Sequence, residues 1–187
     1  MGSRALDELR AEQRTMRKFL DLLQQQVELI AEDRQPDGEL LLEIAEYFRA
    51  FPDLLHHPKE ESILRRVVCR NPAAADELAA LEATHEKGSR ELARFSRAVV
   101  RLLLEPGTSR EPFLEVALRF LEHERRHLVW EDRRFFALVE QSLTAEDWAE
   151  IDAALGCFTF PVFERDAPAR FRRIEHAAGT WRNRTAA

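Results

Sequence analysis

Apolar residues return at every third, fourth and seventh position along most of this chain, and that period limits its fold more than any other feature. From Leu6, seven-residue steps pass through Gln13, Leu20 and Val27, and Leu9, Met16 and Leu23 complete the stripe. A helix of 3.6 residues per turn gathers such positions on one face, whereas a strand would divide them between two. Gly (6) and Pro (8) are few and fall between long stretches rich in Leu, Ala, Glu and Arg, which is the composition of helices with punctuation. No stretch alternates Val, Ile and Thr as a strand would.

The first helix is expected to end before "RQPDG". A second segment, "ELLLEIAEYFRAF", meets Pro52 and then Pro58 before continuing as "KEESILRRVV", so a bend or break is expected there. In "NPAAADEL", Asn71 reads as a cap and Pro72 as the first position of a third helix, whose seven-residue steps link Leu78, His85, Leu92 and Val99. That helix should stop at "EPGTSREP". The fourth starts near Pro112 and carries Phe113, Val116, Phe120, His127, Glu131 and Phe135 on one side. "TAED" at Thr144 reads as the capping box of a shorter fifth helix ending at Gly156. The tail "CFTFPVFERDAPARFRRI", irregular at first and rich in Phe, is expected across the end of the bundle. Four long amphipathic helices joined by short loops bury their stripes as an all-α, up-down-up-down four-helix bundle. The expectation is one domain over 1–187, with the bundle at about 4–143 and the short helix and irregular tail over 144–187.

Charge and cysteine usage exclude several classes of function. Lys+Arg number 28 against Asp+Glu 34, a net charge of -6, which disfavours nucleic acid and anionic membranes as partners. Cys69 and Cys157, the only cysteines, are far apart and form no CxxC, so neither a disulfide framework nor a thiolate zinc site is indicated. The first 23 residues carry charges throughout, with no apolar run of signal-peptide or membrane-span length. A reducing cytoplasm fits these features best. The basic "RFRRIEHAAGTWRNR", which includes His176, reads as a solvated face.

Glutamate and histidine are costly to bury unpaired, yet they stand at core positions of the stripes. On the fourth helix His127 precedes Glu131 by four residues, one turn apart and able to face one ion. His56 stands in the same relation to Glu60, which shares a stripe with Ile63, Leu64 and Val67. His85 adds a histidine between Leu78 and Leu92, with Gly88 one turn on, where a side chain would crowd a cofactor. Alone, His85 would read as a satisfied core histidine, and a single His-x-x-x-Glu as a surface ion pair. Two such pairs and an inward histidine on separate helices read instead as a metal site, since imidazoles and bridging carboxylates suit two iron or manganese ions in a bundle. His57 and Glu61 repeat the spacing one residue later, and the stripe through Ile63 and Val67 favours Glu60. His123, one turn before His127, is placed near the metals, as a ligand or behind one. Trp130, beside Glu131, reads first as packing.

These segments resemble the hemerythrin-like, or HHE cation-binding, proteins. The likeness runs through "YFRAFPDLLHHPKEESIL", "LEATHEKGSRELARF" and "HLVWEDRRFFALVEQSLTAEDWAEID". It implies a four-helix bundle around a non-haem diiron centre, with His56, His85 and His127 as terminal ligands and Glu60 and Glu131 as bridges. There are two departures. Family members usually carry a histidine on the first helix, where this chain has Gln13, and oxygen carriers have a second histidine on the third helix, where this chain has Ser89. A neutral amide is a weak ligand for iron, so one metal would be underligated unless water, His123 or His57 fills in. Reversible oxygen carriage is therefore not expected. Gln13 reads equally as a ligand or as a buried amide bonded to a neighbouring helix.

The expected function is that of a cytoplasmic diiron protein, two iron ions with zinc or manganese as substitutes, that binds or reacts with oxygen, peroxide or nitric oxide in oxidative or nitrosative stress. An open coordination position is expected on the Gln13 side. The sequence leaves the redox or protein partner unspecified and does not separate a sensor or store from an enzyme. The alternative is a bundle that has lost tight metal binding with its first-helix histidine and serves as a regulatory or partner-binding module.

Overall fold

A computed structural model of the protein describes residues 3–105, 107 and 109–155. Among these residues every regular element is helical, as the stripes require. Helix α1 (Arg4–Ala31) buries Leu6, Leu9, Gln13, Met16, Leu20, Leu23 and Val27 along one side, the seven-residue stripe read from the sequence. It ends at a turn in which Asp33 adopts a positive φ of 57°. Asp37 caps α2 (Gly38–Ala50) by accepting from the Leu40 N–H at 3.0 Å. The Asp37 N–H donates in turn to buried Gln26 at 2.7 Å, which leaves neither group unsatisfied.

The expected interruption at Pro52 and Pro58 is a single wide turn rather than a break. Pro52–His56 form a π-helical turn between α2 and α3 (His57–Arg70). The His56 N–H reaches back to the Phe51 carbonyl at 3.3 Å, and the His57 N–H to that of Pro52. Such a turn inserts one residue into the helical register and rotates every later side chain about the helix axis.

A short 3₁₀ turn, Pro72–Ala74, with Asn71 accepting from the Ala73 N–H at 3.3 Å, leads into α4 (Ala75–Leu104). Helix α5 (Glu111–Trp130) runs through a second π-helical turn, Glu131–Phe135, into α6 (Phe136–Ser142). Helix α7 (Ala145–Leu155) opens on the expected capping box: the Thr144 N–H donates to Asp147 at 3.0 Å and the Asp147 N–H to the Thr144 hydroxyl at 3.3 Å. Asp147 also accepts from Arg66 at 2.6 Å and Arg70 at 2.9 Å, tying α7 to α3. Gly156, Cys157, the Phe-rich tail and His176 lie outside the described residues. No described helix is long and apolar enough to cross a membrane.

The apolar interior falls into two clusters. One is built on Met16, Phe19, Phe48, Phe95 and Phe120, with Phe48 edge-on to Phe120 at 5.3 Å and Phe95 stacked on it at 5.1 Å. The other is built on Leu9, Ile63, Leu81, Phe135 and Val139. Along each helix the crossing from one cluster to the other falls at a polar residue. Gln13 lies between Leu9 and Met16, His56 and Glu60 between Phe48 and Ile63, His85 between Leu81 and Leu92, and His127 and Glu131 between Phe120 and Phe135. The bundle thus carries one polar layer between two hydrophobic ones.

Candidate metal centre

That layer is almost dry. Glu60, Glu131 and His56 are 0 % exposed, Gln13 1 %, His127 5 % and His85 6 %. The two carboxylates face the imidazoles of different helices. His56 Nε2 lies 3.2 Å from one oxygen of Glu60, and His85 Nε2 lies 3.4 Å from the other. His127 Nε2 lies 2.6 Å from Glu131 Oε1. One ligand atom from each of Glu60, His85, His127 and Glu131 falls within 4.8 Å of all the others, and the same holds for His57, His85 and His127.

Charge in this layer is strongly coupled. Burial opposes a charge on His56, yet the carboxylate of Glu60 and the bond to Glu12 raise it to about 10. His127, equally opposed by burial, is raised to about 9 by Glu131. Burial opposes the charge of Glu60 too, but the facing imidazoles, His56 foremost, hold it well below the usual carboxylate range. Glu131 moves the other way, raised by burial and by repulsion from Glu60. Burial pushes the Glu124 carboxyl up to about 7 and His57 down to about 3.

The donor set fits a metal cation. His56 Nε2, both oxygens of Glu60, His85 Nε2, His127 Nε2 and Glu131 Oε1 are buried and lack hydrogen-bond partners. Buried polar atoms without partners are rare and costly, and here they converge. Imidazole nitrogen and carboxylate oxygen are the ligand types that iron, manganese and zinc share. The outward nitrogens are already engaged: His56 Nδ1 meets Glu12 at 2.8 Å and His85 Nδ1 meets Glu61 at 2.9 Å. A carboxylate behind an imidazole fixes its tautomer and aims the other nitrogen's lone pair inward.

The π-helical turns explain how the helices present this set. His56 closes the first turn and Glu131 opens the second. At the first, consecutive residues His56 and His57 are both buried, at 0 % and 8 % exposed. The sequence posed these histidines as competing registers, and the structure turns both inward. Glu60 is buried within the layer, while Glu61 supports His85 from behind.

Gln13 is a hydrogen-bonded amide here. Its Nε2 donates to Glu131 Oε2 at 2.5 Å, and its Oε1 lies 3.5 Å from Arg17. Arg17 itself is held by Asp132 at 2.6 Å and by the Leu128 carbonyl at 3.2 Å. His123 is half-buried one turn before His127 and stacks on it at 6.4 Å, with its Nε2 unpartnered. Gly88 makes room for this neighbour: a Cβ there would lie 3.1 Å from His123 Nε2 and 3.2 Å from Glu124 Oε1. The space that Gly88 leaves is bordered by these α5 side chains.

A cavity of about 430 Å³ between α4 and α5, lined by Thr84, Lys87, His123, Arg126, His127 and Trp130 among others, reaches the layer at His127. Sequence reasoning missed Glu12, Asp53 and Glu124. Asp53 and Glu124 left local signals, standing four residues before His57 and three before His127; Glu12 meets His56 across the fold.

A family model described as the hemerythrin HHE cation binding domain matches residues 4–139, and the chain belongs to that family. Comparison with curated proteins and with solved structures finds no match. Membership implies cation binding, and the buried cluster of Glu60, His85, His127 and Glu131 could hold a metal.

Proposed function

We propose that the chain holds a non-haem diiron centre, bridged by Glu60 and Glu131, that binds or reacts with a small oxidant such as oxygen, peroxide or nitric oxide. His85 and His127 would hold one ion and His56 the other. The observation that carries this reading is the convergence of unpartnered nitrogens of His56, His85 and His127 on the buried carboxylates. Iron so bound supplies the electron transfer or the open coordination position that a diatomic or peroxide needs. The chain's own residues supply the surroundings: Phe120 and Phe135 keep water from either side of the layer, Glu12 and Glu61 orient imidazoles, and the cavity at His127 offers a small molecule a way in. Zinc or manganese would suit the same donors. A cytoplasmic location accords with two distant cysteines that form no CxxC, and a partner that is neither nucleic acid nor membrane accords with the net charge of -6.

One observation favours unequal metal positions. The Gln13 amide N–H occupies Glu131 Oε2, which leaves that carboxylate one fewer free oxygen for a second ion. The His85/His127 position should then fill first. In the limit where the second never fills, the alternative is a metal-impaired bundle acting as a regulatory or partner-binding module. Metal content per chain after expression in iron-supplemented medium, with an absorption spectrum, separates these readings. About two irons with a near-ultraviolet band supports the diiron centre; one supports the unequal site; folded, colourless protein indifferent to chelator overturns the proposal in favour of the module.

A further inference from the structure

Glu12 and Glu61 support different imidazoles, and each does so with one oxygen. Glu12 Oε2 meets His56 Nδ1 at 2.8 Å, and Glu61 Oε1 meets His85 Nδ1 at 2.9 Å. The other oxygen of each carboxylate is taken by a cation of α3: Glu12 Oε1 accepts from the Lys59 ammonium at 2.5 Å, and Glu61 Oε2 from the Arg65 guanidinium at 3.1 Å. Two arms therefore leave the polar layer in the same order of imidazole, carboxylate and cation.

The arms differ in shielding. The side chains of Lys59 and Glu12 are each 16 % exposed. Arg65 is 54 % exposed and is shared with Glu82 at 2.7 Å. Water and salt screen an exposed, shared ion pair until it contributes little, whereas a shielded pair keeps more of its attraction. The two carboxylates also stand differently in the chain. Glu12 reaches His56 from α1, across 44 residues, while Lys59 stands on α3, one residue before Glu60. A glutamate side chain has rotamers to lose, so one oxygen on an imidazole holds it less firmly than two oxygens on separate partners.

We propose that Lys59 is a positioning residue for the His56 metal position, acting through Glu12, and that Arg65 has no such part for His85. This rests on the reading of the polar layer as a metal centre. Tied by the ammonium, Glu12 keeps one oxygen on the His56 Nδ1–H. That bond fixes the tautomer and leaves the Nε2 lone pair on the side of Glu60, 3.2 Å away. A single turn of α3 thus supplies both the carboxylate that faces His56 from within the layer and the cation that secures its support from outside.

The test uses full-length protein, first metal-free and then titrated with cobalt(II) against a chelator. Wild type is compared with Lys59→Met, Lys59→Arg, Arg65→Met, Glu12→Gln and the double variant of Lys59→Met with Glu12→Gln, with far-ultraviolet circular dichroism to establish folding. In metal-free protein the low-field His56 Nδ1–H resonance, identified by its shift in Glu12→Gln, should be lost to solvent exchange in Lys59→Met and persist in Lys59→Arg and Arg65→Met. With cobalt, Lys59→Met should weaken the second equivalent about 10-fold, the lower end of the range for a supporting partner, and leave the first unchanged. Lys59→Arg should restore it, and Lys59→Met should add nothing to Glu12→Gln, because the residue acts through that carboxylate. Lys59→Gln serves, with the same expectations, should Lys59→Met not fold. A His56 resonance that persists unchanged in Lys59→Met, a second equivalent that is unchanged or tighter, or a joint weakening of both equivalents overturns the proposal. So does a wild type that takes up only one cobalt even in excess, since no ion then occupies the position Lys59 would serve. Failure of the wild type to bind any cobalt overturns the metal-centre reading itself, and the two failures are therefore distinct.

Discussion

Gln13 donates through Nε2 to Glu131 Oε2 at 2.5 Å, joining α1 to the start of the second π-helical turn across the buried layer. The amide thereby satisfies one buried oxygen of Glu131 with no formal charge. Arg17, bonded to Asp132 and the Leu128 carbonyl, lies 3.5 Å from the Gln13 oxygen.

Replacing the amide by an imidazole should therefore return a donor to the His56 position. Gln13→His is expected to raise metal content toward two ions per chain and to tighten the weaker equivalent by about 10-fold, the value of one modest ligand interaction. Glu131→Ala should abolish metal binding, since it removes a donor shared by both positions. Metal analysis of the purified variants checks both. Equal metal content in Gln13→His, Glu131→Ala and wild type would show that the layer is not the metal site.

The coupled charges set a pH dependence of defined sign. His56 and His127 have folded values raised to about 10 and about 9, above an unfolded value of about 6.5. Their contribution to the stability of metal-free protein is complete below about pH 6.5 and is lost as pH rises through about 9 to 10. A cation must displace the same protons, so its affinity should rise over that window. Thermal melts of the metal-free and loaded forms between pH 6.5 and 10 should diverge: the metal-free melting temperature falls while the increment on adding metal grows. Parallel curves would mean that neither imidazole is protonated in the metal-free layer.

The heptad stripes made the helical class legible, and in the same stripes Gln13, His85 and His127 announced themselves as polar residues in apolar places. The resemblance that named the family rested on the same blocks. What the stripes could not carry was register. A 3.6-residue period presumes an unbroken helix, so the pattern around Pro52 and Pro58 left His56 and His57 as alternatives, whereas the structure buries both. Nor does any local pattern reveal which carboxylate stands behind which imidazole: Glu12 meets His56 and Glu61 meets His85 through tertiary packing. Gly88 was visible as a missing side chain, but the space it leaves belongs to His123 and Glu124. The Gln13 amide had two readings in sequence, and its direction is seen only in the tertiary contact with Glu131.

The aromatic cluster beside the layer should be a stability element separable from the donors. Phe120 is 0 % exposed, edge-on to Phe48 at 5.3 Å and stacked on Phe95 at 5.1 Å. Phe120→Ala is expected to cost about 3–5 kcal/mol through lost burial and the cavity left behind, a fall in melting temperature of roughly 10 °C for a chain of this size. Because the site is one helical turn or more away, the folded variant should still take up metal, more loosely and with greater access to chelator. Complete loss of metal uptake in folded protein would show that the aromatic packing, and not only the polar layer, sets ligand geometry.

Glu12 offers the sharpest way to address the His56 position alone. Its carboxylate lies 2.8 Å from His56 Nδ1 and 2.5 Å from Lys59, and although burial opposes its charge, these neighbours keep its value below that of an ordinary glutamate. It is therefore an anion at neutral pH, able to hold the His56 N–H and to increase the donor strength of Nε2. Glu12→Gln keeps the shape, removes the charge and leaves the His85/His127 side untouched. The expected outcome in a metal titration is an unchanged first equivalent and a second weakened about 10- to 100-fold. Should both equivalents weaken together, His56 and His85 would share one ion, and the assignment of separate positions would have to be withdrawn.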